Sequence, residues 1–344
     1  MSVSFSVISP DRNEEVVDFL KGVFGFAGTP DHFAPPTVAW KYFAPHPWWP
    51  TGRSHALEVN GRIVAHGCVA PVRFGTGAVV VDSMRIIDWA AARSAPGAGL
   101  LLFRRCLALE RGPLLTVGGS SETRQFVSQS RWFTRKAELR TYARPLWPYA
   151  RFRRSSRAVR DWARLARNAY WQLRPPLPSC GGWTCRPASP QEQVFTPVGD
   201  FLPILRTRAW LDYLSACPIG ACELLILEKD GMPNGHGFVS HLSGSARVAD
   251  FALAGHPAMA DRINAFAALI HYVKDQRRSV ELVTASSLDD NCLAFEACGL
   301  HFRRSSPVAA ADPLKMLARE IPLETNLMLG DAFYLHDPGH PFWT

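Results

Sequence analysis

The sequence predicts an α+β protein of two similar domains, each a mixed, mostly antiparallel sheet flanked by helices. The first observation is an echo: Arg85-Ile86-Ile87-Asp88-Trp89-Ala90-Ala91-Ala92 recurs as Arg247-Val248-Ala249-Asp250-Phe251-Ala252-Leu253-Ala254. Self-similarity at long range marks a duplicated unit. The second is the shared surroundings. Each copy follows a hairpin turned by a Gly pair, Asn60-Gly61 or Asp230-Gly231, and precedes a long helical run, a short apolar strand and a Ser-Ser turn. The third breaks the symmetry. Only the first copy is followed by the glycine loop Ser94-Ala95-Pro96-Gly97-Ala98-Gly99, which opens straight into Leu100-Leu101-Leu102-Phe103.

The first domain, 1–145, starts with a strand at Ser4–Ile8 and a helix from Asn13 to Phe24, whose entry Ser-Pro-Asp-Arg-Asn supplies capping residues. A Pro/Trp-rich loop spans Pro35–Trp49, with Trp48-Trp49 packing a domain edge. Strands His55–Val59 and Ile63–Arg73 form the first hairpin, and Val79–Trp89, entered through Gly75-Thr76-Gly77, completes a meander. Leu100–Glu110 has helical spacing, Leu114–Val117 is a short buried strand, and Glu122–Ser130 is a helix that Ser120-Ser121 caps. A basic amphipathic connector occupies 146–183. In it Ser155 or Ser156 caps a helix with Val159, Trp162, Ala166, Ala169 and Leu173 on one face and Arg157, Arg160, Arg164 and Arg167 on the other, ended by Pro175-Pro176. As a strut its apolar stripe would face the domains; as an interfacial helix it would make peripheral contact with an anionic membrane. The strut is the preferred reading because the stripe is narrow and rich in Ala. The second domain, 184–344, repeats the plan. It has a helix at Leu202–Ser215, strands at Cys222–Glu228, His236–Leu242 and Ala246–Ala252, a helix at Pro257–Gln276, a strand at Val280–Ala285, a helix at Asp289–Cys298 and a closing strand from Arg303.

With 344 residues, 47% of them hydrophobic and 20% charged, the chain can fill two cores and lacks the signature of disorder. No basic leader and no stretch of about 18 uncharged apolar residues occurs, so a cytoplasmic protein is expected. The eight cysteines sit mostly in apolar segments and read as reduced thiols. The histidines show no paired ligand spacing, so no metal is expected. Residues 144–174 hold nine Arg and one Asp, a local charge equal to the net +8 of the whole chain. No nucleic-acid-binding motif accompanies that run, and no nucleic-acid partner is expected.

A glycine loop between strand and helix presents backbone N–H groups at a helix N-terminus and so attracts phosphate. A dinucleotide fold would need an opening strand and a third glycine, and a Walker loop would need Gly-Lys-Ser/Thr; neither is present. Gly118-Gly119-Ser120-Ser121 is not a nucleophile elbow.

The arrangement resembles the GNAT superfamily of N-acyltransferases over both halves, as a tandem protein. The family's pyrophosphate loop, Arg/Gln-x-x-Gly-x-Gly/Ala, matches Gly97 and Gly99, whereas Ser94 replaces the leading residue and Arg93 lies beside it. The family's later helix ends Tyr-x-x-x-Gly-Phe, echoed by Asn291, Ala294, Phe295, Gly299 and Leu300; the first half, Thr123 to Trp132 with Val127 at the aromatic position, keeps only its apolar skeleton. The resemblance implies acyl-CoA, acetyl or longer, in an opening between the strand ending at Trp89 and Leu114–Val117. Its contacts would be Trp89, Ala90, Ser94, Pro96, Gly97, Ala98, Gly99 and Leu100. It implies direct attack of an amine on the thioester, with Trp89 or Ala90 N–H on the carbonyl oxygen and Asp88 as base, Glu58 and Asp82 in reserve. The alternative role for Asp88 and Asp250 is structural, since both copies keep the acid. The acceptor would be an amine of a small molecule or amino sugar, as in bacterial envelope or secondary-metabolite acyltransferases, with the second domain degenerate. The rival reading is a catalytically inactive binding module that recruits a partner through the basic connector.

Overall fold

A computed structural model describes residues 2–26, 30–76, 79–109, 112–147, 159–173, 175–242, 244–277, 279–317, 320–329 and 333–335. Gly77, Ser155, Ser156 and Arg157 lie outside the described residues, as do the side chains of Val159 and Arg160. Along the chain run β1 (Val3–Val7), α1 (Asn13–Phe24), α2 (Pro35–Val38), β2 (Ser54–Val59), β3 (Arg62–Thr76), β4 (Val79–Ala91), α3 (Ala98–Leu107), β5 (Leu114–Val117), α4 (Ser121–Gln129) and β6 (Phe133–Pro145). They are followed by α5 (Val159–Leu173), β7 (Trp183–Pro187), α6 (Arg208–Ser215), β8 (Ala221–Lys229), β9 (Met232–Leu242), β10 (Ser245–Leu253), α7 (Met259–Arg277), β11 (Glu281–Ser286), α8 (Asp289–Ala297) and β12 (His301–Ala311).

The chain forms two compact units, and each is assembled from three stretches rather than one. The first comprises Met1–Lys136, Asp212–Ile219 and Val308–Ile321; the second comprises Ala137–Leu211, Gly220–Pro307 and Pro322–Thr344. In the first, β1, β2, β3 and β4 pair antiparallel in sequence order, β5 joins β4 in parallel, and Val308–Ala311 add antiparallel to β5. Side chains on successive strand residues point to opposite faces, so this sheet has a core on each side. Ala56, Cys68 and Ile87 pack with Val16, Val17, Leu20, Val38 and Tyr42, whereas Leu57, Val69 and Met84 pack with Leu102, Phe103 and Cys106. In the second unit β7, β8, β9 and β10 are antiparallel, β11 joins β10 in parallel, and β6 pairs antiparallel with β11. Its core gathers Phe251, Phe266, Phe295, Tyr142, Leu225 and Leu282.

The local signals act as their chemistry requires. Asn60-Gly61 and Asp230-Gly231 both take positive φ at both positions, the turn that matches strand twist. Ser120 caps α4 by accepting the Thr123 N–H at 3.2 Å. All eight cysteines are free thiols.

Three expectations are corrected. The Pro/Trp-rich segment is not all loop: Pro35 and Pro36 start α2, where a missing N–H costs nothing, and it continues as a π-turn over Ala39–Phe43. The helix expected from Leu202 begins only at Arg208, because Leu202 bridges to Leu323 and Arg206 is drawn into a buried ion cluster. Of the apolar stripe of the connector helix, Trp162, Ala166 and Leu173 are exposed and Ala169 is half-buried, whereas Asn168 is buried.

Three buried histidines make the first unit acid-sensitive. Burial pushes His55 down to about 4, His66 to about 4 and His46 to about 3. His55 lies flat on Phe5, with ring centroids 5.4 Å apart, and neither of its ring nitrogens has a hydrogen-bond partner among the described residues. An unfolded histidine takes up its proton near pH 6.5, so the folded state binds fewer protons below that and stability falls as the pH drops from 6.5 toward 4. His55→Phe should therefore lose about 2 kcal/mol less stability than the parent on moving from about pH 7 to about pH 5. Denaturant melts at both pH values check this; parallel losses in the two proteins would contradict it.

Candidate functional site

Among the described residues the parallel pair β4–β5 is in register at Met84 with Leu114 and Arg85 with Leu115, and the Met84 N–H donates to the Pro113 carbonyl at 2.8 Å. From Ile86 to Ala91, β4 runs on without β5, which leaves an opening between the strands. At its mouth Gly97 caps α3 at φ 83°, a left-handed geometry that a side chain would strain, with open space over its Cα. The first-turn amides of a helix lack intrahelical acceptors, and α3 has no acidic residue in its first turn. Ser94, Pro96, Gly97 and Leu100 are exposed, whereas Ala98 is buried beneath them. Gly99 is needed for a close approach: a Cβ there would lie 3.2 Å from Ala91 Cβ and 3.5 Å from Trp89 Nε1. Trp89 donates its indole N–H to the Gly99 carbonyl at 3.0 Å and packs on Phe103 and Phe126, so it ties the end of β4 to the start of α3.

Beside the opening β4 bulges. Cys68 faces Ile87 and His66 faces Ala90, so Asp88 and Trp89 together oppose Gly67. Asp88 sits at φ 50°, a left-handed conformation uncommon for a residue with a side chain. Its carboxylate is held by Lys41 Nζ at 2.6 Å and Tyr42 Oη at 2.7 Å, both from the π-turn. His66 Nδ1 reaches the Asp88 carbonyl at 3.4 Å while Nε2 contacts Ser54 Oγ at 2.9 Å. The π-turn is itself fastened by Arg53, buried and donating to the carbonyls of Trp40, Lys41 and Ala44. Burial alone would push the Asp88 carboxyl up, but the Lys41 ammonium and the Tyr42 hydroxyl outweigh it and hold it below the usual carboxylate range. A carboxylate so committed is a weak proton acceptor.

The three candidate acids are not brought together. Glu58 on β2 accepts from Arg12 at 2.8 Å and Ser6 at 2.6 Å, and Asp82, near the opposite end of β4, pairs with Arg73 at the surface. Trp89, Ala90 and the loop from Ser94 to Leu100 do share one end of the sheet. The matched histidines were missed by the sequence reading. The signal was available: His66-Gly67 and His236-Gly237 each stand five residues past the turn glycines Gly61 and Gly231.

The second unit carries the same device with different ions. β10 bulges between Val248 and Asp250, and Asp250 is buried against Arg206 at 2.7 Å, His236 Nε2 at 2.9 Å and Asn326 Nδ2 at 2.8 Å, with Glu324 on the same guanidinium. Past the end of β10 lies a cavity of about 280 Å³ lined by Phe201, Leu253, His256, Pro257, Arg262 and Asp290. Its electrostatics differ from those of the first opening, because Asp261 stands in the first turn of α7 and Asp289 and Asp290 in that of α8. Phe295, the aromatic residue of the family-like helix motif, is buried against Phe266 at 4.5 Å and serves the core; Gly299 ends α8 at φ 73°.

No protein-family model matches the chain, and no curated protein sequence matches it. Solved structures do. A conserved protein of unknown function from Enterococcus faecalis, described as a probable N-acyltransferase, superposes with a TM-score of 0.55 at 14% identity, over 92% of this chain and 74% of its own. A GCN5-related N-acetyltransferase from Anabaena variabilis gives 0.56 at 9% identity, over 90% and 72%. Saccharomyces cerevisiae N-myristoyltransferase, solved with bound myristoyl-CoA and inhibitors, gives 0.55 at 12% identity, over 90% and 80%. The chain therefore has the fold of the GCN5-related N-acyltransferases, over nearly its whole length.

If Asp88 is the fixed counter-ion of Lys41, Asp88→Asn should cost about 3 to 5 kcal/mol by stranding a buried ammonium. Adding Lys41→Met should recover a large part of that loss, because the pair then leaves no uncompensated charge. Chemical denaturation of both single variants and the double variant measures the coupling; additive losses would show that the two side chains do not act as a pair.

Proposed function

We propose that the first unit transfers an acyl group from acyl-CoA to an amine, with the thioester in the opening between β4 and β5. The observation that carries this reading is the glycine-capped, acid-free and exposed N-terminus of α3 at the mouth of two parting parallel strands. Phosphate is favoured there by unsatisfied N–H groups and the helix dipole. The second unit's acidic first turns disfavour an anion at the matching place, which supports a single donor site per chain.

The chemistry asks little of side chains. The neutral amine attacks the thioester carbonyl carbon, a C–N bond forms, and collapse of the tetrahedral intermediate breaks the C–S bond. The CoA sulfur leaves as a thiolate and takes a proton from water or the acceptor. Trp89 or Ala90 would supply the backbone N–H for the developing oxyanion, since a bulge turns strand amides away from the ladder. Asp88 then acts by holding that bulge rather than by accepting the proton, which passes to solvent. An acceptor that is an amine of a small molecule or amino sugar fits this scheme, as does a donor of acetyl length or longer.

Leu100→Glu gives the most discriminating test. A glutamate in the first turn of α3 complements the helix dipole and should leave thermal stability unchanged or slightly raised, while repelling pyrophosphate. Calorimetry should find one acyl-CoA per chain for the parent and at least about tenfold weaker binding for Leu100→Glu and for Gly97→Val. Two equal sites, or unchanged affinity in both variants, would refute the placement.

A further inference from the structure

With the acyl carbonyl on the Trp89 or Ala90 N–H, the carbons beyond it have three ways to go, and β4 closes two of them. Side chains of a strand alternate between faces. Across the bulge this places Ile86, Trp89 and Ala91 with the core under α3, and Ile87 and Ala90 with the core under α1. On the α3 side the Trp89 indole donates to the Gly99 carbonyl at 3.0 Å and lies 5.3 Å from the Phe103 ring and 6.0 Å from Phe126. Phe133 backs them, 5.3 Å from Phe103. Packing beneath the bulge is dense as well. A Cβ added to Gly67, the residue that Asp88 and Trp89 jointly oppose, would lie 2.9 Å from Ile86 Cδ1 and 3.5 Å from Leu102 Cδ2, so a further methyl group has no room there.

On the α1 side lie the buried Lys41 ammonium and the Asp88 carboxylate, 2.6 Å apart, with the Tyr42 hydroxyl 2.7 Å from the same carboxylate. Tyr42 is fully buried, and its ring packs on His66 at 5.2 Å. A hydrocarbon chain entering there would have to part a buried ion pair and strand both charges. The third way leads out to water, where added methylenes gain none of the burial free energy that favours a longer chain. A short acyl group, acetyl or propionyl, needs none of these spaces. Among the groups that close the α3 side, Trp89 is the one that projects from the strand holding the carbonyl. It is also half-buried and apolar, so its removal would open space next to the thioester.

We propose that Trp89 sets the length of the acyl group and restricts the donor to short-chain acyl-CoA, such as acetyl- or propionyl-CoA. The inference rests on the acyl-transfer reading and names the donor class of that site. Calorimetry with CoA, acetyl-CoA and octanoyl-CoA on the full-length chain tests it. The parent should bind octanoyl-CoA no more tightly than acetyl-CoA. In Trp89→Ala, octanoyl-CoA should bind at least about tenfold more tightly than acetyl-CoA, because the vacated ring volume can bury the chain. Phe126→Ala thins the same aromatic cluster from α4 while keeping the indole bond to Gly99, and should shift the ratio in the same direction. The ratio of the two affinities is the readout, since a variant that merely weakens the fold lowers both alike. Octanoyl-CoA bound about tenfold more tightly than acetyl-CoA by the parent would overturn the proposal, as would an unchanged ratio in both variants. Either result leaves the donor site standing. A parent that binds none of the three ligands, or CoA binding that Gly97→Val does not weaken, would instead remove the donor site and the proposal with it.

Discussion

The ion pair between Lys41 and Asp88, 2.6 Å long and buried, is the interaction on which the first unit's opening rests. Beyond β5 the strand β4 keeps only its ladder with β3, and a bulge with a non-glycine residue at φ 50° adds strain of its own. Contacts from outside the sheet add to that ladder. The π-turn at Ala39–Phe43 brings Lys41 and Tyr42 onto the same carboxylate, while Arg53 donates to the carbonyls of Trp40, Lys41 and Ala44. Repetition of the device in the second unit, with Arg206 against Asp250 and Glu324, shows that the constraint belongs to the sheet architecture and not to one site's chemistry.

The difference between the two units lies instead at the helix that follows the bulge. Gly97 lets α3 begin abruptly beside the strand end, and Trp89 fastens the two through the Gly99 carbonyl. In the second unit the equivalent helix carries Asp261 in its first turn, and that acid is engaged by Lys229 at 2.8 Å and by the Trp183 indole at 3.2 Å. An acid placed there does for the helix dipole what a bound phosphate would do in the first unit. The two helix starts therefore differ in charge, the first without an acid and the second with one already paired.

Much of this was legible in the residues themselves. Asn60-Gly61 and Asp230-Gly231 fixed two hairpins because few residues other than glycine and asparagine or aspartate tolerate the turn, and Ser120 announced the start of α4 by its capping chemistry. The duplicated Arg-x-x-Asp strands gave the tandem plan. Less was visible where partners are distant: Lys41 reads as an ordinary basic residue of a Pro/Trp-rich loop, and its role depends on Asp88, 47 positions on. His66 and His236 could have been matched from their common spacing after the turns, a periodicity hidden by the stronger echo of the following strands. Val308–Ala311, which close the first unit's sheet on β5, could not have been placed from spacing, because the pairing spans most of the chain.

By itself, then, the sequence determined the local elements, the duplication and the glycine-capped helix start, all of which are set by backbone preferences over a few residues. Only the tertiary structure decided what the charged and amphipathic residues do. The Asp88 carboxylate meets its ammonium only because a buried lysine arrives from another segment. Trp162, Tyr170 and Leu173 of α5 face solvent while Asn168, Trp171 and Gln172 make the contacts on the other side. An amphipathic pattern specifies that a helix has two faces; the contacts available to each face choose which one the protein keeps.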